Sequence, residues 1–450
     1  MRRTRAAAVD HEGHVGAAGR RVRVAVAGVT LVCGIAAGVA DPAGVPAGAA
    51  TRSVRSVQAV QARPADAGLA QSWTSGASAW AVVALGHLGR RLDTFWQILV
   101  RPGGAPRWSI VTPPGVASNG GFSAEGTPGG SSGPGVVTAG FQPSQYLTYS
   151  PIASTDDGGK TWTAGTLASG LLPVADAVAA EPDGAVLALV RAGGGALLRS
   201  TGSLTAWRTL ISRRALDATR AGRACGILAL SAVSAPSEAP PGAPSEAPAA
   251  SSAELGAACG VRGVVGLFHL SASGWVATRV RVPSGARSTF TVLRLEAGTA
   301  GTWALAEGRG LRSESLVALW RAGPAASWRA SPQVRLHGSV LSTAALGGRS
   351  LLVATGSGSR TQDLLWTGGP ATRWRSLGPP PAGAQVIVPA PGPASSSAPA
   401  GAPVPAAGPG HLSALVVAGS EVTVWQRAPT GRWGPTAQRL HVPVEYGSST

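Results

Sequence analysis

A tryptophan that ends a short hairpin pattern recurs seven times along this 450-residue chain, and no other feature constrains its fold as strongly. The repeats end at Trp108, Trp162, Trp207, Trp275, Trp328, Trp374 and Trp433, at steps of 45 to 68 residues. Three repeats carry another tryptophan eight positions earlier, at Trp320, Trp366 and Trp425, with glycine and proline between the two. An apolar run, a Gly/Pro turn and an aromatic that opens the next run are typical of β-hairpins. The pattern predicts an all-β chain of seven similar units, with each repeat tryptophan largely buried between neighbours.

The best-preserved repeat reads STDDGGKTW and supplies a physical reason for its turn. From Thr155 it follows the pattern S/T-x-D-x-G-x-T-W, in which Asp157 can accept backbone N–H groups and Gly159 can adopt positive φ. Thr161 begins the outgoing strand, and Trp162 can fill an apolar gap between neighbouring units. These five residues are therefore predicted to be structural.

This pattern resembles the Asp-box (BNR repeat) of sialidase-like β-propellers, over roughly residues 67–447 of the chain. The resemblance implies a seven-bladed β-propeller of four-stranded antiparallel blades. A propeller ring needs closing, so residues 442–446 are expected to pair with the unit that contains Trp80, and residues 71–74 to add another strand there. Asp-boxes also occur in many non-enzymatic propellers and lie away from the ligand face, so the resemblance implies a fold and no activity.

Sialidases bind the substrate carboxylate with three arginines, and they attack with a tyrosine that is paired with a glutamate. The only tyrosines here are Tyr146, Tyr149 and Tyr446, and the stretch that would hold the first arginine is absent. Glu445 precedes Tyr446, but neighbours on one strand point to opposite faces. The expected function is therefore a non-catalytic binding or scaffold module for a protein or a cell-envelope glycan. A sialidase-type glycoside hydrolase is the alternative.

Other catalytic patterns fail on their context. Gly159-Lys160-Thr161 resembles the end of a phosphate-binding loop, but it leads into a strand and lacks the first glycine. The Gly/Ser stretch at 129–133 has the spacing of a nucleophile elbow without its strand-to-helix setting. The seven histidines have no helical metal-ligand spacing, and there is no Cys-x-x-Cys. We therefore expect no catalytic residue, no metal and no cofactor.

The formal net charge is +17, which raises the question of nucleic acid. The arginines are scattered along the chain and form no run with interleaved aromatics, so a generally basic, solvated surface is the prediction and nucleic acid is not an expected partner. The chain is expected to be a monomer.

The N-terminus predicts export. Arg20, Arg21 and Arg23 precede an apolar run from Val24 to Ala40, so residues 1–40 fit a secretory signal peptide or an uncleaved N-terminal anchor, the only expected membrane contact. Residues 41–66 are predicted to be a flexible linker. The mature protein would then be secreted or associated with the cell envelope.

Two Pro/Ala/Ser-rich segments, 234–253 and 389–410, are predicted to be low-complexity inserts. Cys225 and Cys259 flank the first, each in an Ala-Cys-Gly triplet. In an exported protein they are predicted to form a disulfide that closes the base of the insert, with inert core cysteines as the alternative.

Overall fold

The computed structural model describes residues 70–442. Its gaps are residues 76–77, 87–93, 114–121, 127–134, 142–149, 168–174, 176, 182–183, 191–195, 220–222, 224, 234–251, 272–273, 283–286, 299–300, 312, 324–325, 347–349, 358–359, 370–371 and 390–411. The expected signal segment, the linker and all three tyrosines lie outside the described residues.

The described part of the chain is almost entirely β, with 29 strands and one helix of five residues, α1 (Arg213–Asp217). The strands follow one another in seven sets, in each of which successive strands pair antiparallel. No helix in this part of the chain has the length and the apolar composition that crossing a bilayer requires.

Sets 1 to 3 each contain four strands. Set 1 comprises β1 (Ala70–Ser75), β2 (Ser78–Gly86), β3 (Thr94–Arg101) and β4 (Ser109–Ile110). Set 2 comprises β5 (Phe122–Gly126), β6 (Val137–Phe141), β7 (Ser150–Thr155) and β8 (Thr163–Leu167). Set 3 comprises β9 (Ala177–Ala180), β10 (Val186–Val190), β11 (Ala196–Ser200) and β12 (Trp207–Ser212).

Sets 4 to 7 continue the pattern, with the outermost strand of set 5 split in two. Set 4 comprises β13 (Cys225–Val233), β14 (Ser252–Cys259), β15 (Val264–Ser271) and β16 (Gly274–Arg281). Set 5 comprises β17 (Thr289–Gly298), β18 (Gly301–Arg309), β19 (Glu314–Arg321), β20 (Arg329–Ala330) and β21 (Val334–Arg335). Set 6 comprises β22 (Ser339–Leu346), β23 (Ser350–Ser357), β24 (Arg360–Thr367) and β25 (Arg375–Ser376). Set 7 comprises β26 (Ala384–Pro389), β27 (Leu412–Ala418), β28 (Glu421–Arg427) and β29 (Trp433–His441).

Sequence pattern explains which strands are central and which are outermost. Strand β10, with the sequence VLALV, is buried on both faces, as a strand covered on both sides must be. Strand β29 alternates between exposed and half-buried residues, as expected for an edge that meets water. The last strand of each set lies at the end of its sheet, at β4, β8, β12, β16, β20, β25 and β29.

The core consists of seven apolar clusters within the described residues, and each cluster lies between two successive sets. Val83 and Leu99 of set 1, for example, share one cluster with Val388 and Leu415 of set 7. The last set therefore packs against the first.

The expected pairing of residues 442–446 with set 1 lies almost entirely outside the described residues. Strand β1 does add a central strand to set 1, but it pairs in parallel with β22 of set 6, through Ala70–Ser342 and two further residue pairs. Of residues 442–446 the structure describes only Val442, whose N–H bonds to Ser420 O within set 7 at 2.8 Å. Its side chain is buried in the cluster shared with set 1. Among the described residues, sets 7 and 1 share no strand ladder, and side chains join them.

Strand structure extends two residues into the end of the first predicted insert and one residue into the start of the second. Ser252 and Ala253 belong to β14, and Pro389 belongs to β26, because pairing with a neighbouring strand continues into each segment. The undescribed residues there are 234–251 and 390–411.

Candidate functional site

The turn between β7 and β8 is organised by one carboxylate. Asp157 Oδ1 accepts hydrogen bonds from the backbone N–H groups of Lys160 at 2.9 Å and Thr161 at 3.0 Å. Its Oδ2 accepts from Thr161 Oγ1 at 2.6 Å, and Thr155 Oγ1 donates to Oδ1 at 2.9 Å. These donors favour the ionised form, with Thr161 as the largest contributor, and hold the pKa of Asp157 well below its usual range.

The same turn attaches set 2 to set 1. Trp162 Nε1 donates to Val111 O at 2.8 Å, and Gly159 N donates to Thr155 Oγ1 at 3.0 Å. Gly159 has φ +85°, and a Cβ at this position would lie 2.7 Å from Val111 Cβ. Gly159 is therefore needed both for the backbone conformation and for the close approach to set 1.

The corresponding turn of set 3 keeps the contact with altered side chains. Gly202 stands where the pattern has aspartate, and a backbone bond from Thr201 N to Ala206 O at 2.8 Å closes the turn instead. Trp207 Nε1 donates to Thr166 O of set 2 at 3.0 Å. Each of the two indoles thus bonds to the outer strand segment of the preceding set.

Large and small residues exchange places between these two contacts. Three positions before each repeat tryptophan stand Gly159 and Leu204, and three positions after the preceding tryptophan stand Val111 and Gly165. Gly159 packs on Val111, whereas Leu204 fills the space that a Cβ on Gly165 would enter. Both contacts join one glycine to one larger residue. The glycine lies in the later set in the first contact and in the earlier set in the second.

Most of each repeat tryptophan is buried between two sets, as predicted. Trp108 is 2% exposed, and the other six are partly buried. Each packs on the cluster that its set shares with the preceding set, with Trp108 on the cluster of sets 7 and 1.

Two buried arginines cover repeat tryptophans. The guanidinium carbon of Arg101 lies 5.2 Å from the ring centre of Trp108, and that of Arg321 lies 5.3 Å from the ring centre of Trp328. Both arginines stand seven positions before their tryptophan, and burial lowers the pKa of each guanidinium. These are cation–π contacts at equivalent places in sets 1 and 5.

The predicted disulfide is confirmed. Cys225 and Cys259 are directly opposite in the β13–β14 ladder, with Cα atoms 4.1 Å apart, and are joined by a disulfide bond. The ladder runs from this pair to Val233 opposite Ser252, which adjoin the undescribed segment. The disulfide therefore lies at the end of the hairpin away from the insert and does not close its base. Gly266 leaves room for the two sulfur atoms, since a Cβ there would collide with Cys259 Sγ.

An open cleft of about 400 Å³ lies between sets 2 and 3, beside the two turns. Hydroxyl-bearing side chains line much of it, at Ser154, Thr155, Thr163, Ser200 and Ser203, together with Asp156 and Arg199. Arg199 Nε bonds to Glu181 Oε2, a carboxylate that is only 4% exposed. Sequence reasoning missed this pair, although a glutamate between apolar strands is a signal for a buried ion pair.

Two further buried ion pairs lie in sets 4 and 5. Glu254 of β14 contacts Arg321 of β19, and both side chains are almost fully buried. Arg294 of β17 bonds to Glu296 Oε2 at 2.7 Å and donates to Thr343 Oγ1 of β22 at 2.7 Å. Burial raises the pKa of Glu296, and the neighbouring Arg294 opposes that shift.

Among the residues that the structure describes, no group of three or more His, Cys, Asp or Glu side chains could hold a metal ion. Glu445 and Tyr446, the residues considered for a sialidase-type nucleophile, lie outside the described part of the chain.

No protein-family model and no curated protein matches the sequence. Among solved structures, a candidate 6-phosphogluconolactonase from Bacteroides uniformis has 13% identity and a TM-score of 0.43, over 80% of this chain and 96% of that one. YCF48 from Cyanidioschyzon merolae has 13% identity and a TM-score of 0.40, over 81% and 97%. The Aleuria aurantia lectin, in complex with alpha-methyl-L-fucoside, has 12% identity and a TM-score of 0.35, over 84% and 96%. YCF48 and the lectin are β-propeller-like proteins. At these TM-scores no partner or activity can be transferred.

Proposed function

We propose that the chain is a seven-bladed β-propeller of the Asp-box kind that acts as a non-catalytic binding module. The blade count is supported by the seven consecutive sets and by the seven clusters between them in the described residues, the last of which links set 7 to set 1. The turn at Asp157 has the hydrogen bonds that an Asp-box needs.

One observation carries the non-catalytic assignment: the four buried glutamates of the described residues are each held by an arginine. These pairs are Glu181–Arg199, Glu254–Arg321, Glu296–Arg294 and Glu307–Arg309. Glycoside cleavage needs two carboxylates that exchange protons with substrate and water. Glu181–Arg199 and Glu254–Arg321 link different strands or strand ends, whereas Glu296–Arg294 and Glu307–Arg309 each lie within one strand. A carboxylate held by an arginine in this way serves the fold, which leaves the surface to bind a partner.

The partner is a protein or a cell-envelope glycan, and the protein is an exported monomer at the envelope or outside the cell. The Cys225–Cys259 disulfide supports export, since disulfides persist in oxidising compartments. The arginine-flanked apolar run before residue 41 supports it from the sequence.

The test combines a binding assay for a partner with an assay for glycoside hydrolysis. The full chain is immobilised and exposed to envelope extract, and the same preparation is incubated with a panel of fluorogenic glycosides that includes a sialoside. We expect a defined protein or glycan to be retained and no fluorophore to be released above a heat-denatured control. Turnover of any glycoside would replace this proposal with the hydrolase alternative.

A further inference from the structure

The outer segments of sets 4 to 7 are unusually basic. We define an outer segment as the residues from the end of a set's third strand to the end of its last strand. In sets 4 to 7 these are residues 272–281, 322–335, 368–376 and 428–441. They contain eight arginines and no aspartate or glutamate: Arg279, Arg281, Arg329, Arg335, Arg373, Arg375, Arg432 and Arg439. We call these eight residues the arginine band.

The band is on the surface. The seven arginines whose side chains the structure describes are all exposed. Arg439 is 73% exposed, and its Nε lies 3.5 Å from Glu421 Oε1, a contact that solvent largely screens. The guanidinium of Arg375 lies 6.0 Å from the ring centre of Trp366. Sets 4 and 5, 5 and 6, and 6 and 7 share core clusters, so the four segments belong to successive neighbouring sets.

Protection of sheet edges does not account for this distribution. Charged residues on an edge strand discourage pairing with another chain, and each of the seven sets has such an edge. The outer segments of sets 1 to 3 nevertheless contain only Arg107, Lys160 and Arg208, offset by Asp156 and Asp157. Their net charge is +1, against +8 for sets 4 to 7. A function confined to sets 4 to 7 explains this asymmetry.

We propose that the arginine band binds a linear acidic polysaccharide, with carboxylate-bearing sugars following the outer segments from one set to the next. Two arginines per set give a repeated array, which fits a polymer with a repeated charge. Arginine pairs well with carboxylates because its planar donors match the two oxygens. The inference rests on the proposed binding module and names its ligand class.

The band fits other polyanions less well. Single-stranded nucleic acid needs exposed aromatic rings on which bases stack. The tryptophans of these segments, Trp275, Trp328, Trp374 and Trp433, are half-buried against the core clusters. In the proposed ring, the outer segments form a convex side, which a flat bilayer would touch at one set only. A flexible chain can follow the curve.

The test measures binding of the full chain to polygalacturonate, with neutral dextran, an oligothymidylate and vesicles of anionic phospholipid as comparison probes. The band variant carries Arg329→Gln, Arg335→Gln, Arg373→Gln and Arg432→Gln. The charge-matched control carries Arg107→Gln, Arg208→Gln, Arg214→Gln and Arg223→Gln, which are exposed residues outside the band. Circular dichroism and melting temperature establish that both variants are folded.

We expect polygalacturonate to bind wild type, dextran not to bind, and added salt to weaken the complex by screening. The band variant should lose about tenfold or more in affinity and the control less than about threefold. Four Arg→Lys changes in the band should restore only part of the binding, because lysine keeps the charge without the planar donors. Equal losses in the two Gln variants, or no binding of polygalacturonate, would overturn the inference. Band-dependent binding of oligothymidylate or vesicles alone would replace the polysaccharide with that class. Failure of the band to bind polygalacturonate leaves the proposed binding module standing, because the capture and glycoside assays test that function separately.

Discussion

The side-chain amide of Gln438 in set 7 makes two hydrogen bonds with the backbone of Trp108 in set 1, 330 positions earlier in the chain. Trp108 N donates to Gln438 Oε1 at 3.0 Å, and Gln438 Nε2 donates to Trp108 O at 2.8 Å. Gln385 does the same for Ala84, at 2.9 and 2.7 Å. An amide in this position supplies one donor and one acceptor, as a paired strand residue would. Two glutamines therefore make ladder-like hydrogen bonds between set 7 and set 1.

Removing the Gln438 amide is expected to weaken the contact between sets 7 and 1. Gln438→Leu deletes both hydrogen bonds and leaves two backbone groups of a buried residue without them. The free energy of unfolding should fall by about 1–3 kcal/mol, measured by denaturant titration. Gln426→Leu on the exposed side of β28 is the control and should change it by less than about 0.5 kcal/mol. If the two variants were equally stable, the amide bonds would add nothing to the closure.

The contact between Gly165 and Leu204 can be tested by placing the larger residue at position 165 and glycine at position 204. Gly165→Val should destabilise the fold by about 1–3 kcal/mol, because the new side chain meets Leu204. Leu204→Gly alone should cost about 2–5 kcal/mol through the cavity it leaves. The double variant recreates the arrangement of Val111 and Gly159. Its loss in free energy of unfolding should therefore be smaller, by at least about 1 kcal/mol, than the sum of the losses of the two single variants. Strict additivity in chemical unfolding would show that the two contacts are not equivalent.

Gly266 is predicted to be required for the disulfide. A methyl group there would occupy the position of Cys259 Sγ, so Gly266→Ala should prevent bond formation or force β15 away from β14. Thiol labelling of the denatured protein should then find Cys225 and Cys259 reactive, and stability should fall by about 3–4 kcal/mol in the chain-entropy model. Gly434→Ala, at an open position on β29, should keep the bond. A Gly266→Ala protein with an intact disulfide and normal stability would contradict the prediction.

Stability should depend on the charge of Asp157 in strong acid. An aspartate in an unfolded chain has a pKa of about 3.9, and the turn lowers the pKa of Asp157 below that value. The stabilisation by its carboxylate is therefore complete above the unfolded pKa and is lost as pH falls through the folded pKa. The difference in melting temperature between wild type and Asp157→Asn should be constant from about pH 7 to 5 and should shrink below about pH 4.

Asp156→Asn is the control for this titration, since its exposed side chain makes none of the bonds of the turn. It should melt close to wild type throughout. A wild-type advantage over Asp157→Asn that persisted undiminished at about pH 2 would exclude the carboxylate as its source.

Local patterns in the sequence predicted most of the strands and the disulfide, because their causes are local. The turn at Asp157, the outgoing strand after Trp207 and the pairing of Cys225 with Cys259 each depend on a few neighbouring residues. Export, the linker and the assignment of residues 1–66 stay predictions.

Contacts between distant segments carried no recognisable signal. Gln385 and Gln438 are single glutamines in strands, and nothing in their surroundings points to partners 301 and 330 positions away. The arginine band was also missed, because the basic residues look scattered along the sequence and come together only when the outer segments are aligned as neighbours.

The parallel pairing of β1 with β22 has a consequence for synthesis. The first strand to leave the ribosome finds its partner only when Ser342 has been made, 272 residues after Ala70. At about 5–20 residues per second, the inner edge of the newborn first set waits about 14–54 s without that partner. An unpaired edge of this kind invites pairing with other chains, so the nascent protein is most vulnerable to aggregation during this interval. Translation as far as Ala344, rather than the folding of any one unit, then limits how soon the exposed edge is sealed.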